Sequence, residues 1–230
     1  MSADRAAAEE PVATTTRREV ALARALDQAR SRAENRVQLF LDAARELMNE
    51  NSGEFTVQEV VERSGQSLRT FYQYFAGKHE LLLALFEESI HAAATELQAV
   101  IDQYDAPLDR LHQFAVEYFR MCRPTSKRRR STGPPPTIVD FAQQLLTSQP
   151  KEAAHAFAPL VAMLEHLFDD AAATGDIRPD LDHRRIAGVA LQAIMFNAFA
   201  ASISGMPEPD GDAAPEALWW LLLRGIGRDV

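Results

Sequence analysis

With one cysteine, Cys122, in 230 residues, the chain cannot form an intramolecular disulfide, and nothing in it calls for an oxidising compartment. It has no HExxH pair, no Cys/His set at metal-ligand spacing, no phosphate-cradling GxxxxGK[ST] loop and no glycine-rich turn after a strand. These absences remove the sequence signatures of zinc hydrolases, zinc modules, nucleotide hydrolases and dinucleotide enzymes. Asp180, Asp182 and His183 lie close together, but they stand where a helix begins and read as caps. The expectation is a protein that is not an enzyme and holds no metal or cofactor. The opening MSADRAAAEEPV has no apolar h-region, so no secretory signal is expected and the location reads as cytoplasmic.

Basic charge is also short. The formal net charge is −9, which argues against a protein that coats nucleic acid unspecifically. The distribution is uneven, however: from Arg63 to His79 there are three basic residues, Arg63, Arg69 and Lys78, and no acid. Only one long stretch, Ile186 to Met206, is free of charge. Its length could cross a bilayer. It also carries Gln192, Asn197, Ser202 and Ser204 and stands alone, so a helix buried in a core or subunit interface is the better account.

What is present is helical periodicity. Residues 1–15 are polar and read as a disordered tail. Residues 17–33 have helical composition and carry Arg17, Arg18, Arg24, Arg30 and Arg32; they are either a frayed helical extension or a basic arm for phosphates or the minor groove. From Glu34, the residues Val37, Phe40, Leu41, Ala44, Leu47 and Met48 mark one face of an amphipathic helix, stopped by Asn51-Ser52-Gly53. Thr56 and Glu59 have capping-box spacing and open a short helix that ends at Ser64-Gly65. Ser67 caps a second short helix carrying Leu68, Phe71, Tyr72 and Phe75, and a long helix follows from Lys78 to Gln103. Further helices are expected over 107–123, 137–147, 151–174 (with a kink or break at Pro159), 182–204 and 215–224. The fold class is all-α, with about nine or ten helices.

Two short helices joined by a glycine turn and braced by a preceding helix form a helix-turn-helix arrangement, whose second helix offers its N-terminal residues to the major groove. That helix presents Ser67, Leu68, Arg69, Thr70 and Gln73, and Arg69 alone among them can read guanine bidentately. The hydroxyls of Thr56, Ser67, Thr70, Tyr72 and Tyr74 suit phosphates, which position without specifying. Lys78 stands where its ammonium and helix N-terminal amides could meet one phosphate. Phe71 and Phe75, four apart, read as core.

These residues resemble a family. The run TVQEVVERSGQSLRTFYQYFAGKHELLLALF is similar to the DNA-binding signature of TetR-type regulators: Thr56 opening the second helix, the turn Gly65, Ser67, then Thr70-Phe71-Tyr72-Gln73-Tyr74-Phe75, Lys78 and Glu80-Leu81-Leu82. Three positions depart from it, Val61 and Ser64 for alanines and Gln66 for a turn valine. Gln66 puts an amide where an apolar anchor belongs, and it could itself touch DNA. The resemblance implies that Tyr74 lies at the DNA edge and that residues 34–80 form the DNA-binding domain. Residues 1–33 would then be an extension, and 81–230 a helical ligand-binding and dimerisation domain whose last two long helices pair across a two-fold axis. The apolar 186–204 segment and the Trp219-Trp220-Leu-Leu-Leu run agree with that, although packing within one subunit remains the alternative.

Phe114, Tyr118, Met121, Phe141, Phe157, Met163, Phe168, Phe196 and Asn197 are the candidates for a pocket, a set suited to hydrophobic ligands with one or two polar groups. Asn197, an amide in an apolar helix, needs a partner in ligand, backbone or a second subunit. Lys127-Arg-Arg-Arg130 and Pro134-Pro-Pro136 read as a solvated loop, or as a second contact for DNA or an anionic ligand. The expected function is a homodimeric repressor on a pseudo-palindromic double-stranded operator, released when a small hydrophobic effector alters the spacing of its recognition helices from the roughly 34–36 Å of successive major grooves. The alternative is an activator, or a regulator controlled by a protein partner.

Overall fold

Helix α1, Arg17–Glu50, sets the frame of the computed structural model, which describes residues 16–50, 55–123, 136–203 and 213–227. The periodicity from Glu34 and the helical composition before it belong to one uninterrupted helix of 34 residues. Its start is capped rather than frayed: the Thr16 N–H donates to Glu19 Oε2 at 2.6 Å, and the Glu19 N–H donates to Thr16 Oγ1 at 3.3 Å. Only the C-terminal half is buried, through Phe40, Leu41, Ala43, Ala44, Leu47 and Met48.

The short helices follow from their caps. For α2, Val57–Ser64, both halves of the capping box are formed between Thr56 and Glu59. It ends at Gly65, whose φ of 65° is left-handed and favours glycine; the N–H groups of Gly65 and Gln66 return to Glu62 O and Val61 O. Helix α3, Leu68–Tyr74, opens under Ser67, whose hydroxyl accepts from the Thr70 N–H at 3.0 Å. The rings of Phe40, Phe71 and Phe75 then lock α3 to α1, with Phe71 edge-on to Phe40 at 5.4 Å and Phe75 edge-on to Phe40 at 6.1 Å.

The remaining helices are α4 (Lys78–Ile101), α5 (Pro107–Cys122), α6 (Pro136–Ser148), α7 (Pro150–Ala156), α8 (Ala158–Ala173), α9 (His183–Ile203) and α10 (Ala213–Ile226). The break expected at Pro159 falls at Phe157, between α7 and α8; proline suits the first turn of α8 because its missing N–H has no helical partner there. Helix α5 is central, packed by α4, α8, α9 and α10, while α1 packs on α2 and α4. One continuous apolar cluster runs from Phe40 through α4 and α5 to Trp219. Among the described residues there is no strand, only an isolated bridge between Ile177 and Gly227. None of their helices is long and apolar enough to cross a membrane. The Lys127–Arg130 and Pro134–Pro135 loop, the 1–15 tail and the Asn51–Gly53 stop lie outside the described residues.

Candidate nucleic-acid interface and effector cavity

Helix α3 is held from behind by Phe71, which is fully buried, so its opposite face is left to solvent. Leu68, Arg69, Tyr72 and Gln73 are exposed on it, with Leu68 at 43% and Tyr72 at 57%. Arg69 makes no hydrogen bond or ion pair among the described residues. Arg63, one turn before α3, differs sharply: its guanidinium reaches Glu50 at 2.7 Å and Glu46 at 3.2 Å. Those hydrogen bonds hold the Glu50 carboxyl below its ordinary value and raise Arg63. Of the two arginines, one is tied to α1 and the other is available.

The hydroxyls are partly engaged. Ser67 Oγ and Thr70 Oγ1 are 2.7 Å apart, and Thr56 Oγ1 donates to Glu59 Oε2 at 2.8 Å while its backbone N–H donates to the same oxygen at 2.7 Å. The Thr56 backbone bond first, then the hydroxyl, hold the Glu59 carboxyl below its usual value. Tyr72 lies edge-on to Phe71 at 5.4 Å and keeps its ring in solvent. Tyr74 is half-buried and packs against the core, and Gln66 is half-buried in the turn. Lys78 donates to the Phe55 carbonyl at 2.5 Å, leaving two of its three N–H groups. The ten expected DNA-facing residues therefore cluster on α2, the turn, α3 and the start of α4.

A second feature lies in the other half. Helices α5, α8, α9 and α10 enclose a small cavity, about 30 Å³ of free space, lined by Leu111, Phe114, Ala115, Leu164, Phe168, Ile186, Ala190, Ile194, Trp219, Leu222 and Ile226. Phe114 and Phe168 are the two sequence candidates that line it. The other seven are placed elsewhere. Tyr118 and Met121 are buried further along α5, Phe141 and Phe157 pack against Phe86, and Met163 is half-buried. Phe196 is 43% exposed, and Asn197, also exposed, donates to the Ala193 carbonyl at 2.7 Å, so its own helix supplies the partner. The lining that aromatic content missed was readable as spacing: Ile186, Ala190 and Ile194 at four-residue steps, and Trp219, Leu222 and Ile226 at three and four. Near the rim, the His112 ring nitrogen Nε2 lies 2.9 Å from a Glu216 carboxylate oxygen and the ring sits 5.1 Å from that of Trp219, joining α5 to α10.

Residues 40–85 match the family model for bacterial regulatory proteins of the tetR family. Over these residues the chain is similar to the tetR-family regulatory proteins. The match begins at Phe40, the residue that locks α1 to α3, and ends in α4. A TetR-family transcriptional regulator from Pectobacterium atrosepticum superposes with a TM-score of 0.65 at 20% identity, over 87% of this chain and 98% of that one. FadR from Bacillus subtilis, solved with stearoyl-CoA, gives 0.62 at 18% identity over 82% and 98%. GusR from Salmonella enterica gives 0.59 at 20% over 83% and 94%. At these identities the likeness is one of fold. No curated protein matches the sequence. The matched family and these structures are regulators rather than enzymes. Among the described residues no three His, Cys, Asp or Glu side chains are grouped to hold a metal ion.

Proposed function

We propose that the chain is a cytoplasmic, homodimeric repressor that reads a pseudo-palindromic operator through α3 and is released by a small, largely hydrophobic effector. The observation that carries the reading is Arg69: second in the recognition helix, exposed, and without a partner among the described residues, while Arg63 nearby is tied down. A free guanidinium there suits the O6 and N7 of a guanine. Leu68, Thr70, Tyr72 and Gln73 flank it for bases and backbone, and Thr56, Gln66, Ser67, Tyr74 and Lys78 border them for phosphates. Residues 34–80 serve as the DNA-binding domain and 81–230 as the effector and dimerisation domain.

Dimerisation is supported by the apolar groups that α9 and α10 leave in solvent: Val189 at 61%, Phe196 at 43%, Trp220 at 56% and Leu221 at 70% exposed. Four such residues on the last two helices suit a self-complementary four-helix contact. The effector reading rests on the wholly apolar cavity. That space is small, so an acyl compound would have to widen it by parting the helices that line it. The long helix α4 connects both halves and would carry that movement to α3. That FadR was solved with stearoyl-CoA makes long acyl compounds a reasonable first class to screen.

The test is a fluorescence-anisotropy titration against the chain's own upstream intergenic DNA. Arg69→Ala should weaken binding by about 1–3 kcal/mol and relax preference at one base position. Release of the bound DNA by an acyl compound would support the effector reading. Equal affinity in wild type and Arg69→Ala on the preferred site would overturn the role given to α3.

A further inference from the structure

Helix α1 is buried only from Phe40 onward, where the family match also begins, yet the helix starts at Arg17. The segment from Arg17 to Arg36 spans about 28 Å at 1.5 Å per residue and is exposed throughout, apart from a half-buried Ala33. It carries six arginines against three acids in a chain whose net charge is −9. The reciprocal cap between Thr16 and Glu19 and the ion pair from Arg30 to Glu34 at 2.7 Å both act to keep it helical.

The charges are sorted around the helix. At 3.6 residues per turn, Arg17, Arg18, Arg24, Arg32 and Arg36 fall within an arc of about 120°, while Glu19, Asp27 and Glu34 lie outside it. None of these five arginines makes an ion pair among the described residues. Further along, the same arc changes sign to Asp42, Glu46 and Glu50, and there the carboxylates are used: Asp42 by Arg45, and Glu46 and Glu50 by Arg63 of α2. The unpaired arginines therefore lie on the side of α1 against which α2 packs. All five precede Phe40, whose ring packs against α3, and four of them, Arg17, Arg18, Arg24 and Arg32, lie before residue 34.

From this sorting we infer that the α1 extension is a rigid helical arm that binds DNA phosphates beyond the site read by α3. The inference rests on the DNA-binding reading above. The partner is set by charge complementarity: a row of unpaired guanidinium groups about as long as one helical turn of duplex, in an otherwise acidic protein, matches a polyanion. Because the arm meets phosphate, it adds affinity and salt dependence with no base preference.

The test uses the full chain and the exposed triple variant Arg17→Ala/Arg24→Ala/Arg32→Ala, with two probes: a long random-sequence duplex and the preferred upstream site. Affinity is measured across a salt series. The variant should bind both probes at least tenfold more weakly at low salt, with the slope of log K against log salt shallower by about 0.9 for each phosphate no longer neutralised. Its base preference should be unchanged, whereas Arg69→Ala should lose preference and keep most of the slope. Equal slopes and affinities for wild type and triple variant would overturn the arm. If that result came with a lower oligomeric state in Leu22→Glu/Leu26→Glu, the extension would be a contact between copies of the chain. If wild type bound neither probe, the DNA reading itself would fall, and the arm with it.

Discussion

Lys78 and Phe55 hold each other twice: the ammonium donates to the Phe55 carbonyl at 2.5 Å and lies 4.4 Å from the centre of the Phe55 ring. Phe55 is buried and directly precedes the Thr56 cap, so this pairing ties the entry of α2 to the first residue of α4. A charge-assisted bond with a cation over a ring contributes about 1–2 kcal/mol. Lys78→Met should lower unfolding free energy in urea by that amount. If Lys78 also meets a phosphate, the same variant will make the salt slope of DNA binding shallower by about 0.9. A change in stability with no change in slope would leave it as a brace alone.

Much of this half was legible because its determinants are local. Capping residues at Thr56 and Ser67, the left-handed Gly65 and the spacing of Phe71 and Phe75 each act within one turn of chain. The cavity was not legible in the same way. Size and aromaticity pointed to Tyr118, Phe141 and Phe157, but which apolar side chains leave space between them depends on how four helices meet. Nor did sequence show that Arg63 and Arg69, alike in type and near in number, would separate into one tied and one free; Glu46 and Glu50 decide that across helices.

Phe71 should be the costliest position among the first three helices. It is fully buried, and its ring lies 5.4 Å from that of Phe40 and 5.5 Å from that of Phe75. Truncation to alanine removes the transfer energy and leaves a cavity, at about 3–5 kcal/mol. Far-UV circular dichroism during urea unfolding reads the loss directly. A cost under about 1 kcal/mol would mean that α3 does not depend on this cluster.

Acid should loosen α2 before the rest. The Glu59 carboxyl is held below its ordinary value by the Thr56 bonds, so its folded pKa is depressed. Such a group stabilises the fold above its unfolded pKa, and the contribution is lost as pH falls through the folded value. Amide exchange in α2 should therefore rise below the usual carboxylate range, near pH 4. In Thr56→Ala, which loses about 1 kcal/mol of capping at neutral pH, that acid-dependent rise should be smaller.

Cys122 should resist thiol reagents while the protein is folded. Burial pushes its thiol up to about 12, with a hydrogen bond to Tyr118 acting the other way. The thiolate is the reactive form, so it is scarce at pH 8. Modification by a disulfide reagent should track global unfolding in urea. Rapid labelling in native buffer would show instead that the thiol of half-buried Cys122 is reached without unfolding.

The exposed apolar groups of α9 and α10 yield the remaining expectation. Val189 and Leu221 are 61% and 70% exposed, so replacing them costs a lone subunit little, within about 0.5 kcal/mol for an exposed site. Buried in a two-fold contact, each charge would face desolvation in two symmetric copies. Val189→Arg/Leu221→Arg should therefore shift the mass seen by sedimentation toward the monomer while leaving helical content intact. DNA affinity should fall in parallel, because a monomer reaches only one half-site. A variant that stays dimeric would place the subunit contact on another face and leave these apolar side chains without an assigned role.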